Sequence, residues 1–226
     1  MSLVHIARAS DSPYVDTVMH GHTLSAGVTV RPAENHWHMI VSKHDGGTNF
    51  IITGALTTSG IARWGADGEI LWIRFKLGTF MPNLPAKVLL NKETILPNGA
   101  FQSFWLGGST WQLPNYENAD AFVDRLMHNE VLAYDPTVEA ALNDQPQILP
   151  ERTLRHRFLR ATGLSQTHIR QMERAQRAQR MLEQGISILD TIYDTGYFDQ
   201  PHLTRSLKRF VGKTPAQILN SNQPQL

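Results

Sequence analysis

The sequence predicts two domains, an N-terminal one that is mostly antiparallel β and a C-terminal one that is all α. Three observations carry this expectation. Up to about Leu113 the chain is rich in Thr, Val, Ile, Trp and Gly, with stretches in which apolar and polar residues alternate, as in a half-buried strand. From Asn118 onward apolar residues recur with the 3.6-residue period of a helix. The charge divides similarly: residues 1–150 carry 9 Lys+Arg and 14 Asp+Glu, a net of −5, whereas residues 151–226 carry 12 and 6, a net of +6. Such a split suggests a basic domain that meets a polyanion, and a solvated helical surface produces the same split.

The first residues are interrupted by Arg8, Ser10, Asp11 and Ser12 before any apolar core of secretory length forms, so they do not read as a signal peptide. Glu69 to Leu77 is the clearest strand, with Leu71, Ile73, Phe75 and Leu77 on one face and Arg74 and Lys76 on the other. His36 to Ser42 and Asn49 to Thr53 read as two more strands, joined through Asp45-Gly46-Gly47 turn chemistry. Ala66-Asp67-Gly68 reads as another hairpin turn. Short strands with Gly-rich turns suggest an antiparallel sandwich or barrel. No stretch is apolar for the 18 residues a membrane span needs, and the expected location is the cytoplasm. With no Cys there is no disulfide framework, thiolate metal site or Cys nucleophile.

Asn118 is placed to cap a helix running to about Leu132, with Phe122, Val123, Leu126, Met127 and Val131 on one stripe. A polar break at Asp144 to Gln147 puts the domain boundary between 134 and 150. The last 76 residues then divide into five helices. The first runs from about Glu151 to Thr162, with Leu154 and Phe158 inward and Gly163 at its end. Ser165 opens a long second helix to Gln184, with Ile169, Met172, Ala175, Ala178 and Leu182 inward and Gly185 as its stop. The third spans Ile188 to Thr195, and Gly196-Tyr197-Phe198 turns the chain. Asp199 caps the fourth, with Pro201 in its first turn and Gly212 after Phe210. Thr214-Pro215 opens the last.

A helix, a tight Gly-containing turn and a second basic helix make a helix-turn-helix, and Ile188 to Phe210 fits that pattern. In the second helix Leu203, Leu207 and Phe210 recur at core spacing, while Gln200, His202, Arg205 and Arg209 lie elsewhere around it. Gln and Arg have the bidentate geometry that reads adenine and guanine edges in a major groove. The stretch Glu151 to Arg160 repeats the arrangement, with Arg152, Arg155, His156 and Arg160 outward. The helix between the two extends about 28 Å at 1.5 Å per residue, near the ~34–36 Å between successive major-groove faces. The alternative is a five-helix bundle whose arginines only solubilise it.

Residues 151–217 resemble the DNA-binding module of the AraC/XylS family of bacterial transcription regulators. The resemblance is carried by Arg152 to Phe158, Thr162-Gly163-Leu164-Ser165, the Arg174/Ala175/Ala178/Leu182 run and Gly196-Tyr197. It continues through Asp199-Gln200, His202 to Arg205, Lys208-Arg209-Phe210 and Gly212 to Pro215. It implies two helix-turn-helix units joined by a linker helix. It further implies base-reading roles for Arg152, Arg155 and His156 in the first unit and for Gln200, His202 and Arg205 in the second. Thr153, Arg160, Thr204, Lys208 and Lys213 fall at positions that imply phosphate contacts. The chain departs from the family where only Val138 to Leu142 stands for a full first helix. Pro150 replaces a Ser or Thr cap, His156 a common Arg, and Thr191-Ile192 an Ile-Ala pair.

By layout, residues 1–132 resemble the family's cupin-type β-barrel, which implies a sensor and dimerisation domain. Residues 133–150 are then a linker with a degenerate first helix, and 151–226 the DNA-binding domain. The implied partners are double-stranded DNA, a small-molecule effector in the barrel and a second copy of the chain through the Phe122/Leu126/Met127/Val131 stripe. RNA polymerase joins them if the protein activates. His36-Trp37-His38 raises a cupin metal hypothesis, but residues 39–50 lack the Glu such a site needs, and Gln102 stands where its last His belongs. No metal, cofactor or catalytic residue is therefore expected. His36, Trp37, His38, Trp72 and Trp105 are instead candidate effector contacts, although tryptophans are as readily core residues. The competing reading is a cupin-type metal-dependent enzyme carrying a vestigial helical module.

Overall fold

A computed structural model of the protein describes residues 3–44 and 47–221. The Asp45-Gly46 part of the expected turn lies outside the described residues. In chain order the strands are β1 (Leu3–Ala9), β2 (Val15–Thr23), β3 (Gly27–Arg31), β4 (His38–His44), β5 (Gly47–Thr53), β6 (Gly60–Trp64), β7 (Gly68–Phe75) and β8 (Thr79–Phe80). After α1 (Ala86–Leu89) come β9 (Glu93–Ile95), β10 (Ser103–Leu106) and β11 (Ser109–Gln112). Then follow α2 (Ala119–His128), β12 (Ala133–Tyr134), α3 (Pro136–Leu142), α4 (Glu151–Thr162), α5 (Gln166–Glu183), α6 (Ile188–Thr195), α7 (Gln200–Phe210) and α8 (Pro215–Ser221). The N-terminal region is thus mostly antiparallel β and the C-terminal region helical.

Among the described residues one six-stranded sheet runs β1-β2-β7-β4-β5-β9, beside the two-stranded pairs β10-β11, β12-β8 and β3-β6. No closed barrel forms from these ladders: β1 and β9 remain as the two edges of an open sheet. The chain divides into two compact units. The first holds Met1–Val28, His36–Ala55 and Arg63–Ser165, and the second Thr29–Asn35, Leu56–Ala62 and Gln166–Leu226.

The core of the first unit lies on one face of the large sheet. Met39, Val41, Phe50, Ile52, Leu71, Ile73 and Phe75 point to it, and Phe122, Val123 and Leu126 of α2 cover it. Phe50 stacks on Phe104 with ring centres 3.7 Å apart, and Phe122 meets both edge-on. Because side chains paired across a ladder share a face, His38 projects from the opposite face with Thr53 and Arg74, and Ile40 with Ile51 and Trp72.

Three expectations change here. Helix α2 stops at His128, short of Leu132, because Glu130 takes a φ of 58° and the N–H groups of Val131 and Leu132 both return to the Leu126 carbonyl. Asn118 does not cap α2 with its side chain: its Oδ1 accepts from the Asn115 N–H at 2.9 Å. Strand β4 opens at His38, so His36 and Trp37 precede it, although Trp37 faces the same core as Met39 and Val41 and its carbonyl accepts from the Phe75 N–H. The α2 stripe is spent on the protein's own sheet. Phe122, Val123 and Leu126 are fully buried, Met127 and Val131 pack against the same core, and Asp124, Arg125 and His128 face solvent.

In the second unit Ala178 and Leu182 of α5, Tyr197, Leu203 and Leu207, Val211 and Ile218 share a core. Helices α4 and α6, the stop after α5 and the end of α7 meet glycines with positive φ, at Gly163, Gly196, Gly185 and Gly212. These are the helix ends expected from sequence.

Candidate nucleic-acid interface

Helix α7 is fixed at its start by Asp199, whose carboxylate accepts the His202 N–H at 2.6 Å. Leu203 and Leu207 are fully buried and Phe210 nearly so, which sets the roll of the helix. Gln200, Arg205, Lys208 and Arg209 are exposed, and Thr204 is half-buried. His202 is less available than its position suggests: it is half-buried, with its ring edge-on to Tyr197 at 5.0 Å. Tyr197 itself is buried, pairs with the Ser206 hydroxyl at 2.7 Å and lies under the Arg174 guanidinium at 4.4 Å. Those contacts hold the turn between α6 and α7. Lys213 is half-buried in the loop after α7, where Thr214 and Gln217 cap α8 reciprocally.

Helix α4, in the first unit, starts at Pro150 without a side-chain cap. Arg152, Thr153, Arg155, His156 and Arg160 are all exposed, while Phe158 is buried. Arg157 donates to both oxygens of Asp135 at 2.8 Å. Burial alone would raise the Asp135 carboxyl, but the bonds from Arg157 and Thr137 outweigh it and hold the group below the usual carboxylate range. Asp135 also caps α3 through the Thr137 N–H, so α3 and α4 share one carboxylate. The exposed Arg160 guanidinium lies 5.2 Å over the Phe80 ring.

Residues 149–221, which span α4 to α8, match the family model described as a helix-turn-helix domain. This match identifies the C-terminal part of the chain as an AraC-type helix-turn-helix module. No curated protein and no solved structure matches the chain.

The five candidate effector residues are not brought together. Trp37 is a core residue that donates to the Thr79 carbonyl at 2.7 Å and stacks on Phe75 at 3.9 Å. His38 and Trp72 meet edge-on at 6.0 Å on the opposite sheet face. His36 is half-buried before β4, and Trp105 is exposed on the β10-β11 hairpin.

A different cluster escaped the sequence reading. Glu69 accepts from His20 at 2.9 Å and from Lys43 at 3.1 Å, and these bonds hold its carboxyl below the usual range. The three residues border a cavity of about 160 Å³ with Val41, Leu71 and Tyr116. Each sits on a different strand, so no local spacing announces them. Among the described residues no group of three or more His, Asp or Glu is placed to hold a metal ion. No described helix is long and apolar enough to cross a membrane.

Proposed function

We propose that this regulator binds DNA in a sequence-specific way through two helix-turn-helix units, with α7 as the principal reading helix and α4 as the second. The observation that carries this is the division of α7. Leu203 and Leu207 are buried without remainder, which leaves Gln200 and Arg205 projecting from a helix whose last turn is basic. Such a helix presents base-reading forks and a cationic end at once. In α4, Arg152, Arg155 and His156 take the same role, and Thr153, Thr204, Lys208 and Lys213 contact phosphates. The N-terminal region acts as a sensor for a small-molecule effector, and the cavity beside Glu69 is its candidate site.

Selection of bound fragments from random duplex DNA, with and without added metabolites, tests the reading. Recovery of no consensus sinks it. Lys208→Ala and Lys213→Ala are each expected to weaken all duplexes about equally and to lower the salt slope by about one, because a lost phosphate contact releases one fewer counterion. A binding titration over a salt series measures this.

This reading keeps a functional boundary between 133 and 150, within the first compact unit. Asn143 to Pro146 and Ile148 are exposed there, with Ile148 without any cover. Limited proteolysis of the full chain is expected to cut first in this stretch. First cuts inside α5 would contradict it.

A further inference from the structure

The end of α7 raises a question of hydrogen-bond accounting. The last four carbonyls of a helix have no partner within it. In α7 the Leu207 carbonyl accepts from Val211 and Gly212, just beyond the helix. The other three are taken by residues far away in sequence. The Lys208 carbonyl accepts from the Ser59 hydroxyl at 3.1 Å, Arg209 from the Ser59 N–H at 2.8 Å, and Phe210 from the Ala33 N–H at 2.7 Å.

The segments that supply these donors, 29–35 and 56–62, belong to the same compact unit as α5 to α8. They are joined to each other by paired bonds between Glu34 and Leu56 at 3.0 and 2.7 Å. They are tied to α5 as well, where Gln176 donates to the Ala33 carbonyl at 3.2 Å and Asn35 to Glu173 at 3.4 Å. The backbone of Thr57 bonds His168, whose ring meets Phe210 edge-on at 5.6 Å. The approach is close. A Cβ on Gly212 would come within 2.5 Å of Val30 and 3.2 Å of Ser59, at a φ of +82° that only glycine takes without strain.

We infer that Ala33 and Ser59 are positioning residues for DNA reading: they cap the C-terminus of α7 and set the pose in which Arg205 and Gln200 meet a groove. The inference rests on α7 being the reading helix. Three bonds at one end and the Asp199 cap at the other fix α7 along its axis and in tilt. Base-edge hydrogen bonds need that accuracy and phosphate attraction does not. The segments capping α7 come from the half of the chain that carries the sheet, so a change at β3 or β6 moves the reading helix without passing through the residue 133–150 connection.

The test uses the full chain and the duplex that wild type selects from random DNA. Ser59→Pro removes the donor to Arg209 and the hydroxyl together, Ala33→Pro removes the donor to Phe210, and Ser59→Thr keeps both of the Ser59 donors. The two proline variants are expected to bind the selected duplex about tenfold or more weakly and to lose most of the preference over its single-base variants. Their salt slope stays that of wild type, since no phosphate contact goes, and Ser59→Thr binds as wild type does. Ser59→Ala, which loses one hydrogen bond and keeps the backbone, is expected to cost about 2–10-fold and decides the matter should a proline variant not fold. Unchanged base preference in Ser59→Ala and in the folded proline variants, with a lowered melting midpoint, overturns the inference and leaves the caps purely structural. Neutral Ser59 variants beside a damaging Arg205→Ala overturn the positioning role alone. A wild type that selects no sequence overturns the reading of α7 and the inference with it.

Discussion

Leu207→Ala is expected to destabilise the helical unit by about 2–5 kcal/mol and to abolish DNA binding at ordinary working temperature. Leu207 is fully buried and shares its core with Ala178, Leu182, Tyr197 and Leu203. Truncation removes three carbons' worth of transfer free energy and leaves a cavity that rigid helix backbones cannot close. The loss is a large fraction of the about 5–15 kcal/mol that holds a domain folded. Leu189→Ala is the matched control. It sits on α6 with three-quarters of its surface in solvent, at 75% exposure, and its truncation should fall within about 0.5 kcal/mol of wild type. Chemical denaturation followed by helical circular dichroism measures both. Equal effects would mean that α7 is not seated through Leu207.

Arg205→Ala is the second large effect, and it separates recognition from folding. Arg205 is exposed and carries no structural contact on which α7 depends, so the fold should be untouched. Its fork can engage guanine O6 and N7 together, and the loss is expected to be about 1–3 kcal/mol, or about 5–150-fold, confined to one base position. Binding to the selected duplex and its single-base variants reads this out. A uniform loss across all sequences, with a salt slope shifted as in the Lys variants, would make Arg205 a phosphate clamp.

The helices were the most legible part of the chain. Asp199, Gly196, Gly212 and the Leu203/Leu207/Phe210 spacing are local signals, and each appears in the structure where its chemistry requires. The same locality explains the misreadings. Periodicity ran α2 on to Leu132 because Val131 and Leu132 are apolar at helical spacing, although they serve the core from a non-helical turn. Alternation placed His36 on β4, whereas the strand opens at His38 and Trp37 before it keeps a ladder bond, to Phe75. Exposure of the Arg residues on α4 followed from pattern, but the seating of Arg160 on Phe80 and of Arg157 on Asp135 did not. Such partners lie far away in sequence and leave no trace in a short window. The bonds from Ala33 and Ser59 to α7, and the meeting of His20, Lys43 and Glu69, were invisible for the same reason.

The capping of α7 by Ser59 also bears on how the protein is made. Ser59 and Lys208 are 149 residues apart. At about 5–20 residues per second on a ribosome, the donors wait about 7–30 s before their acceptors exist. During that interval β3 and β6 expose Val28, Val30 and Ile61, which stay exposed even in the finished fold. A nascent chain with such strands unpaired is a target for holding chaperones and for pairing with a neighbouring nascent copy. Contacts of this sequence separation also raise contact order, so the helical unit should finish folding more slowly than a free-standing helical bundle of its size.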